Sequence, residues 1–293
     1  MSFMVMLARL ADPLYVALAA LTYMLGAGVS KYLGHPVRGR VLVLGLAVVL
    51  LLQLAMGWLN AAFSQPKALL RAGDAAPDQP RTRRAIISGA IAALAAAASL
   101  LFALVHLDGA APAGAVTLGA SLVIVVLYAV PPMRAVDRGF GELLLAIQIA
   151  YLAPLAAFLL QAQDNHLLLN VCTVALTFLL VALLLVFELA SYAEDIGRGR
   201  VTLLTRIGWE RALAAHDAML VAGYAVLAIS IISAFSFSLI GPALLTLPFA
   251  ILQVFLLRGL SSGAKPMWNL LRANALAIFV LTAYFLAVSL WLR

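Results

Sequence analysis

Charge is scarce in this chain. Of its 293 residues only 11% are Asp, Glu, Lys or Arg, against roughly 25% in soluble globular proteins, while 65% are hydrophobic. A soluble enzyme is excluded. Cysteine is rarer still: Cys172 stands alone inside an apolar run, so neither a disulfide framework nor a cysteine-based metal centre is available. Long polar stretches are missing too, which leaves no room for a separate soluble domain. No Walker-type loop, zinc motif or Ser-His-Asp arrangement is recognisable.

What the chain has instead is a succession of apolar runs, each of about twenty residues and long enough to cross the roughly 30 Å hydrocarbon core as a helix. They fall at about 13 to 33, 41 to 63, 85 to 106, 113 to 132, 141 to 162, 167 to 192, 212 to 234, 237 to 257 and 271 to 292. The expectation is an all-α, polytopic membrane protein, a nine-transmembrane-helix bundle in which residues 1–293 form a single transmembrane helical domain. Most prolines sit near the ends of these runs, but Pro154 and Pro248 lie inside and predict kinks. The N-terminal stretch, with Arg9 and no basic leader before it, reads as the approach to a retained first span and not as a cleaved signal.

The net charge is +7, and the basic residues lie mainly in connectors. Anionic headgroups or phosphorylated substrates suit them better than nucleic acid. With nine spans, alternate connectors share a face, and only Lys31, Arg38, Arg40 and Arg293 of the 19 basic residues fall on the minor one. The positive-inside rule then places the N-terminus in the cytoplasm and the C-terminus outside. The connectors after spans two and six are long, charged and cytoplasmic, so a site for a charged group is expected to open there.

Three segments carry polar chemistry. At the end of span two, Asn60 and Ser64 are one helical turn apart and start a polar stripe toward Lys67. Between spans four and five, Tyr128 precedes Pro131 and Pro132; Gly139 and Gly141 permit a tight turn, and Arg134 and Arg138 are suited to grip a diphosphate bidentately. At the end of span six, Glu188, Ser191, Tyr192 and Asp195 have the spacing of one helical face. Carboxylates there suit Mg²⁺, a hard cation that takes oxygen ligands; the plainer alternative pairs Glu188 with an arginine of a neighbouring helix. His35, His106 and the His216–Asp217 pair read as structural, and Asn269, Arg272 and Asn274 as caps or mouth residues of span nine.

Taken together, these segments resemble the UbiA-type intramembrane prenyltransferases. The middle match runs from Tyr128 and Pro132 to Arg138-Gly139-Phe140-Gly141-Glu142-Leu143, and a further one is Gly199-Arg200-Val201-Thr202-Leu203. The helix-two motif of that family, Asn-Asp-x-x-Asp-x-x-x-Asp, is degenerate here: Asn60 matches, but the carboxylates fall on Ala61, Ser64 and Ala68. In the helix-six region Glu188 and Ser191 replace aspartates and Asp195 remains.

The resemblance implies transfer of a prenyl group from an isoprenoid diphosphate to an aromatic or other lipid-soluble acceptor. It implies Glu188 and Asp195 as catalytic residues and as ligands of a weakened Mg²⁺ site; from their own chemistry and position, Asn60, Lys67, Arg71, Tyr128, Arg134 and Arg138 are expected to hold the diphosphate. Lys67 and Arg71, near the missing carboxylates, raise direct binding of diphosphate without metal. The alternative is a catalytically inactive UbiA-fold protein that binds or presents an isoprenoid or phosphorylated lipid, or supports a partner enzyme. A small-solute transporter fits less well, because the polar residues gather at one face. The expected setting is a bacterial or archaeal inner membrane, with membrane lipids and no nucleic acid as partners.

Overall fold

The computed structural model describes residues 10–64, 80–106, 109–162 and 165–293. Lys67, Ala68 and Arg71 lie outside the described residues. Within them there are helices and no strand. Nine helices are long and apolar enough to cross a membrane: Pro13–Tyr32, Gly39–Phe63, Pro80–His106, Pro112–Ala129, Gly141–Leu159, Leu167–Leu189, Trp209–Ser233, Phe237–Leu260 and Trp268–Trp291. These are spans one to nine, and the chain is an integral membrane protein. Span three starts earlier than its apolar pattern predicts, because Arg81, Arg83 and Arg84 form an exposed first turn. There Arg83 Nε donates to the Ala62 carbonyl at 2.9 Å.

Spans five and six are the most enclosed and form the centre of the bundle. Span two packs along span three, span six along span seven, and span one along both span five and span nine. Lipid tails are as apolar as the helices, so close backbone approach and interhelical hydrogen bonds hold such a bundle together. Spans one and five show both. A Cβ at Gly26 would fall 2.0 Å from the Pro154 carbonyl oxygen, so only glycine fits.

One turn away on span one, the Thr22 hydroxyl donates to the Ile149 carbonyl at 2.6 Å. The reason lies in Pro154. Span five runs as a π-helix over Ile147–Leu152, and in that geometry the residue that would donate to Ile149 is five further on, at Pro154, which has no N–H. Thr22 supplies the missing donor. The kink expected at Pro154 is thus absorbed by a π segment, and Pro248 similarly follows a 3₁₀ stretch, Gly241–Thr246, in span eight.

Spans seven, eight and nine are tied by a buried chain of hydroxyls. Tyr224 Oη lies 2.7 Å from Thr246 Oγ1, which lies 2.8 Å from Thr282 Oγ1. Asn274 is not a mouth residue: it donates to the Phe249 carbonyl at 2.9 Å and to Gln253 Oε1 at 2.7 Å, joining spans eight and nine.

Candidate functional site

A cavity of about 340 Å³ opens at the end of the bundle where spans two, four and six finish and span five begins. Asn60 and Ser64 from span two, Tyr128 from span four, Glu142 from span five, and Glu188 and Ser191 from the end of span six line it. Asp12 and Tyr15 of span one, Asp137 and Arg200 complete its polar wall, and Leu145, Leu184 and Phe187 supply an apolar one. Of the sequence candidates, the structure therefore brings Asn60, Tyr128 and Glu188 to one space. It does not bring Asp195 or Arg138 to the lining.

The reason for the separation of Glu188 from Asp195 is a break in the helix. Span six ends at Leu189 and a short helix, Tyr192–Gly197, starts after Ser191, whose N–H donates to the Glu188 carbonyl at 2.9 Å. The single helical face expected for Glu188, Ser191, Tyr192 and Asp195 is thereby divided. Tyr192 turns to Trp209, with ring centroids 5.5 Å apart. Asp195 is buried, accepts from Ser191 Oγ at 2.9 Å and meets Arg200 Nη1 at 3.5 Å.

Arg200 is the one lysine or arginine among the described lining residues. Burial works against its charge, but the carboxyls of Asp195 and Glu188, followed by Tyr128 and Glu142, outweigh that effect and hold its pKa above the ordinary value. Arg134 stands just behind the wall. Buried and in the left-handed region at φ 36°, it pairs with Asp137 and donates from Nη2 to Ser64 Oγ at 3.2 Å, while its Nη1 has no acceptor. Arg138 is directed elsewhere, its Nη2 donating to the Pro132 carbonyl at 2.8 Å.

Two short segments distant in sequence meet at the cavity floor. Thr202 caps the helix Leu203–Ile207 through a reciprocal arrangement with Thr205. The next two amides of that turn are satisfied by carboxylates: Leu203 N–H donates to Glu142 and Leu204 N–H to Glu188, each at 3.2 Å. Carboxyl oxygens at a helix N-terminus accept from donors that have no partner within the helix. Gly139 permits the approach, because at φ 72° a Cβ there would sit 2.9 Å from the Thr202 carbonyl oxygen. Glu142 and Arg200 were not among the residues singled out in the sequence, although both lie inside the matched motifs.

The lining holds four carboxyl groups against one guanidinium, so an anion is accommodated only where those carboxyls are compensated. Asp137 is paired with Arg134. Glu142 and Glu188 accept backbone donors and lie within hydrogen-bonding reach of each other. Asp12 also has a partner. Among the described residues Arg200 makes one side-chain hydrogen bond, the loose contact to Asp195, and otherwise faces Glu188 and Glu142 across the cavity wall.

No family model and no curated protein matches the sequence. Solved structures do match. A UbiA homolog from Archaeoglobus fulgidus, determined with GPP and Mg²⁺, superposes with a TM-score of 0.69 at 18% identity, covering 96% of this chain and 99% of that one. A digeranylgeranylglyceryl phosphate synthase gives 0.70 at 12% identity over 100% of both chains, and a UbiA homolog from Aeropyrum pernix K1 gives 0.56 at 15% identity over 94% and 96%.

The chain has the UbiA fold. Structures of the A. fulgidus protein hold Mg²⁺ or Cd²⁺, and the present residues can be tested against such an ion. Ala61 and Ser64 offer no carboxylate, and Asp195 is occupied by Ser191 and Arg200. Among the described residues no three His, Cys, Asp or Glu side chains form a group able to hold a metal. They do not assemble Glu188 and Asp195, the pair expected as Mg²⁺ ligands, at one wall of the cavity.

Proposed function

We propose that this chain is a UbiA-type membrane prenyltransferase that takes an isoprenoid diphosphate as donor and a lipid-soluble acceptor, aromatic or otherwise, through an altered site that holds the diphosphate by a fixed cation. The observation that carries this reading is Arg200, the one guanidinium among the described lining residues, whose side-chain hydrogen bond to Asp195 is a loose one. GPP and DMAPP in the A. fulgidus structures supply the substrate class. The donor's diphosphate lies against Arg200, Asn60 and Tyr128, and its allylic end lies along Leu145, Leu184 and Phe187. Transfer breaks the C1–O bond, with the electron pair leaving on diphosphate. The acceptor forms the new bond and releases a proton. Arg200 opposes the charge that develops on the leaving group, and the apolar wall keeps water from the allylic carbon.

The orientation follows from the basic residues: the cavity faces the cytoplasm, with the N-terminus on that side and the C-terminus outside. One domain suffices, since the lining draws on the first span through the connector after span six.

Purified protein in detergent is to be titrated with geranyl diphosphate in EDTA and in Mg²⁺, and pyrophosphate release measured with a panel of acceptors. Binding that persists in EDTA, with acceptor-dependent release, is the expected result. Binding without release for any acceptor supports a second reading, a silent protein that binds or presents the lipid; the absence of carboxylates at Ala61 and Ser64 favours it. Binding abolished by EDTA and restored by Mg²⁺ overturns the altered site.

A further inference from the structure

A second pocket lies at the same end of the bundle, beyond Phe187. Its walls are Phe187 of span six and Arg272, Ala273 and Leu276 of span nine, and its volume is about 310 Å³. Phe187 also lines the central cavity, so one phenyl ring separates the two spaces.

Arg272 is placed unusually. It lies one turn inside an apolar spanning helix that begins at Trp268, where a charged side chain is costly unless it faces a partner or a cavity. Its Nε–H is buried and meets no acceptor. The three other walls are apolar, so the pocket joins one cationic donor to a surface that suits hydrocarbon.

The depth of this pocket is marked independently. Trp268 packs edge-on against Trp209 with ring centroids 6.5 Å apart, and Trp209 lies against Tyr192. Tryptophan and tyrosine gather at the level of lipid headgroups. Arg272, one turn further in, sits just beneath that level, where the head of an amphiphile resides and its tail continues inward.

We propose that this pocket binds an anionic amphiphile, its head on Arg272 and its apolar body over Phe187, Ala273 and Leu276. As the place of the acceptor, one ring from the donor, the pocket rests on the prenyl-transfer reading; as a binding site it does not.

The test uses dodecyl phosphate as probe, followed by calorimetry in a non-ionic detergent, with dodecanol and inorganic phosphate as controls. It is run with the central cavity empty and again with geranyl thiodiphosphate, a non-reacting donor analogue, present. Dodecyl phosphate is expected to bind at least tenfold more tightly than either control under both conditions. Arg272→Gln lowers that affinity at least tenfold and Arg272→Lys restores part of it. Leu276→Trp, which fills the pocket and keeps the cation, lowers it as well. Arg200→Gln weakens the donor analogue and leaves dodecyl phosphate alone, so failure of the donor reading and failure of this pocket are told apart. Unchanged affinity in Arg272→Gln overturns the proposal, as does inorganic phosphate binding as well as dodecyl phosphate.

Discussion

Glu142 and Glu188, on different spans, accept the N–H groups of consecutive residues, Leu203 and Leu204, each at 3.2 Å. The connector after span six is thereby fastened to the bundle by two carboxyl groups, and Arg200, three residues before Leu203, is held at the cavity wall. This arrangement gives the two matched motifs a physical connection, since Gly139 and Glu142 belong to one and Thr202 and Leu203 to the other. It also assigns Glu142 and Glu188 a positioning role that requires no metal.

The fastening can be measured directly. A buried amide left without its acceptor costs about 1 to 3 kcal/mol, so Glu142→Ala is expected to speed amide exchange at Leu203 by at least fivefold, and Glu188→Ala to do the same at Leu204. Glutamine keeps an accepting Oε1, and Glu142→Gln should recover most of the protection. Exchange followed by mass spectrometry on a peptide covering 198–208 checks this. Equal exchange in Glu142→Ala and the wild type would refute the fastening.

Arg200 and Arg138 make contrasting predictions. Arg138 is spent on the Pro132 carbonyl, while Arg200 faces the cavity with a loose partner. A charge-assisted contact to a diphosphate in a partly dry site contributes about 1.5 to 3 kcal/mol. Arg200→Gln should therefore weaken geranyl diphosphate binding in EDTA by ten- to a hundredfold, and Arg138→Gln by less than threefold. The reverse order, read by calorimetry, would return the diphosphate to the connector between spans four and five.

How much of this was legible in the sequence differs between spans and site. The span positions were, because runs of about twenty apolar residues have few other uses, and the matched motifs fall at the end of the bundle where the cavity opens. The break after Leu189 was not: Ala190, Ser191, Tyr192 and Ala193 contain no proline or glycine, and only the packing of Tyr192 on Trp209 shows where the chain turns. Because that turn decides which carboxylate faces the cavity, Asp195 was grouped with Glu188 and Arg200 was passed over. Glu142 stands in a matched motif, but its role was not legible for a related reason, since its partner lies 61 residues away.

Contact between spans one and five yields a stability prediction. A methyl group at Gly26 would overlap the Pro154 backbone, which cannot move without displacing the π segment. Gly26→Ala is expected to cost more than about 3 kcal/mol and to lower the midpoint of thermal unfolding in detergent sharply. Gly119 is the control: a Cβ there meets nothing within 4 Å, and Gly119→Ala should change stability by no more than about 0.5 kcal/mol. Equal midpoints for the two variants would show that the close approach is not sustained in solution.

The hydroxyl chain through Tyr224, Thr246 and Thr282 allows the last prediction, which separates structure from binding. Intramembrane hydrogen bonds average about 0.6 kcal/mol and reach about 1.7, and Thr246 contributes to two of them. In Thr246→Val, Thr282 keeps recourse to its own helix carbonyl, as threonine commonly does, whereas the Tyr224 hydroxyl loses its 2.7 Å partner and keeps Thr282 within reach. Thr246→Val should thus cost about 1 to 2 kcal/mol, and Tyr224→Phe about half of that. Their combination should cost less than the sum of the two, since phenylalanine removes the hydroxyl that Thr246→Val leaves more weakly paired. Unfolding of the four proteins in one detergent closes the double-mutant cycle, and strict additivity would show that the two hydroxyls do not interact. Affinity for geranyl diphosphate should be the same in all four, because none of the three residues lines the cavity.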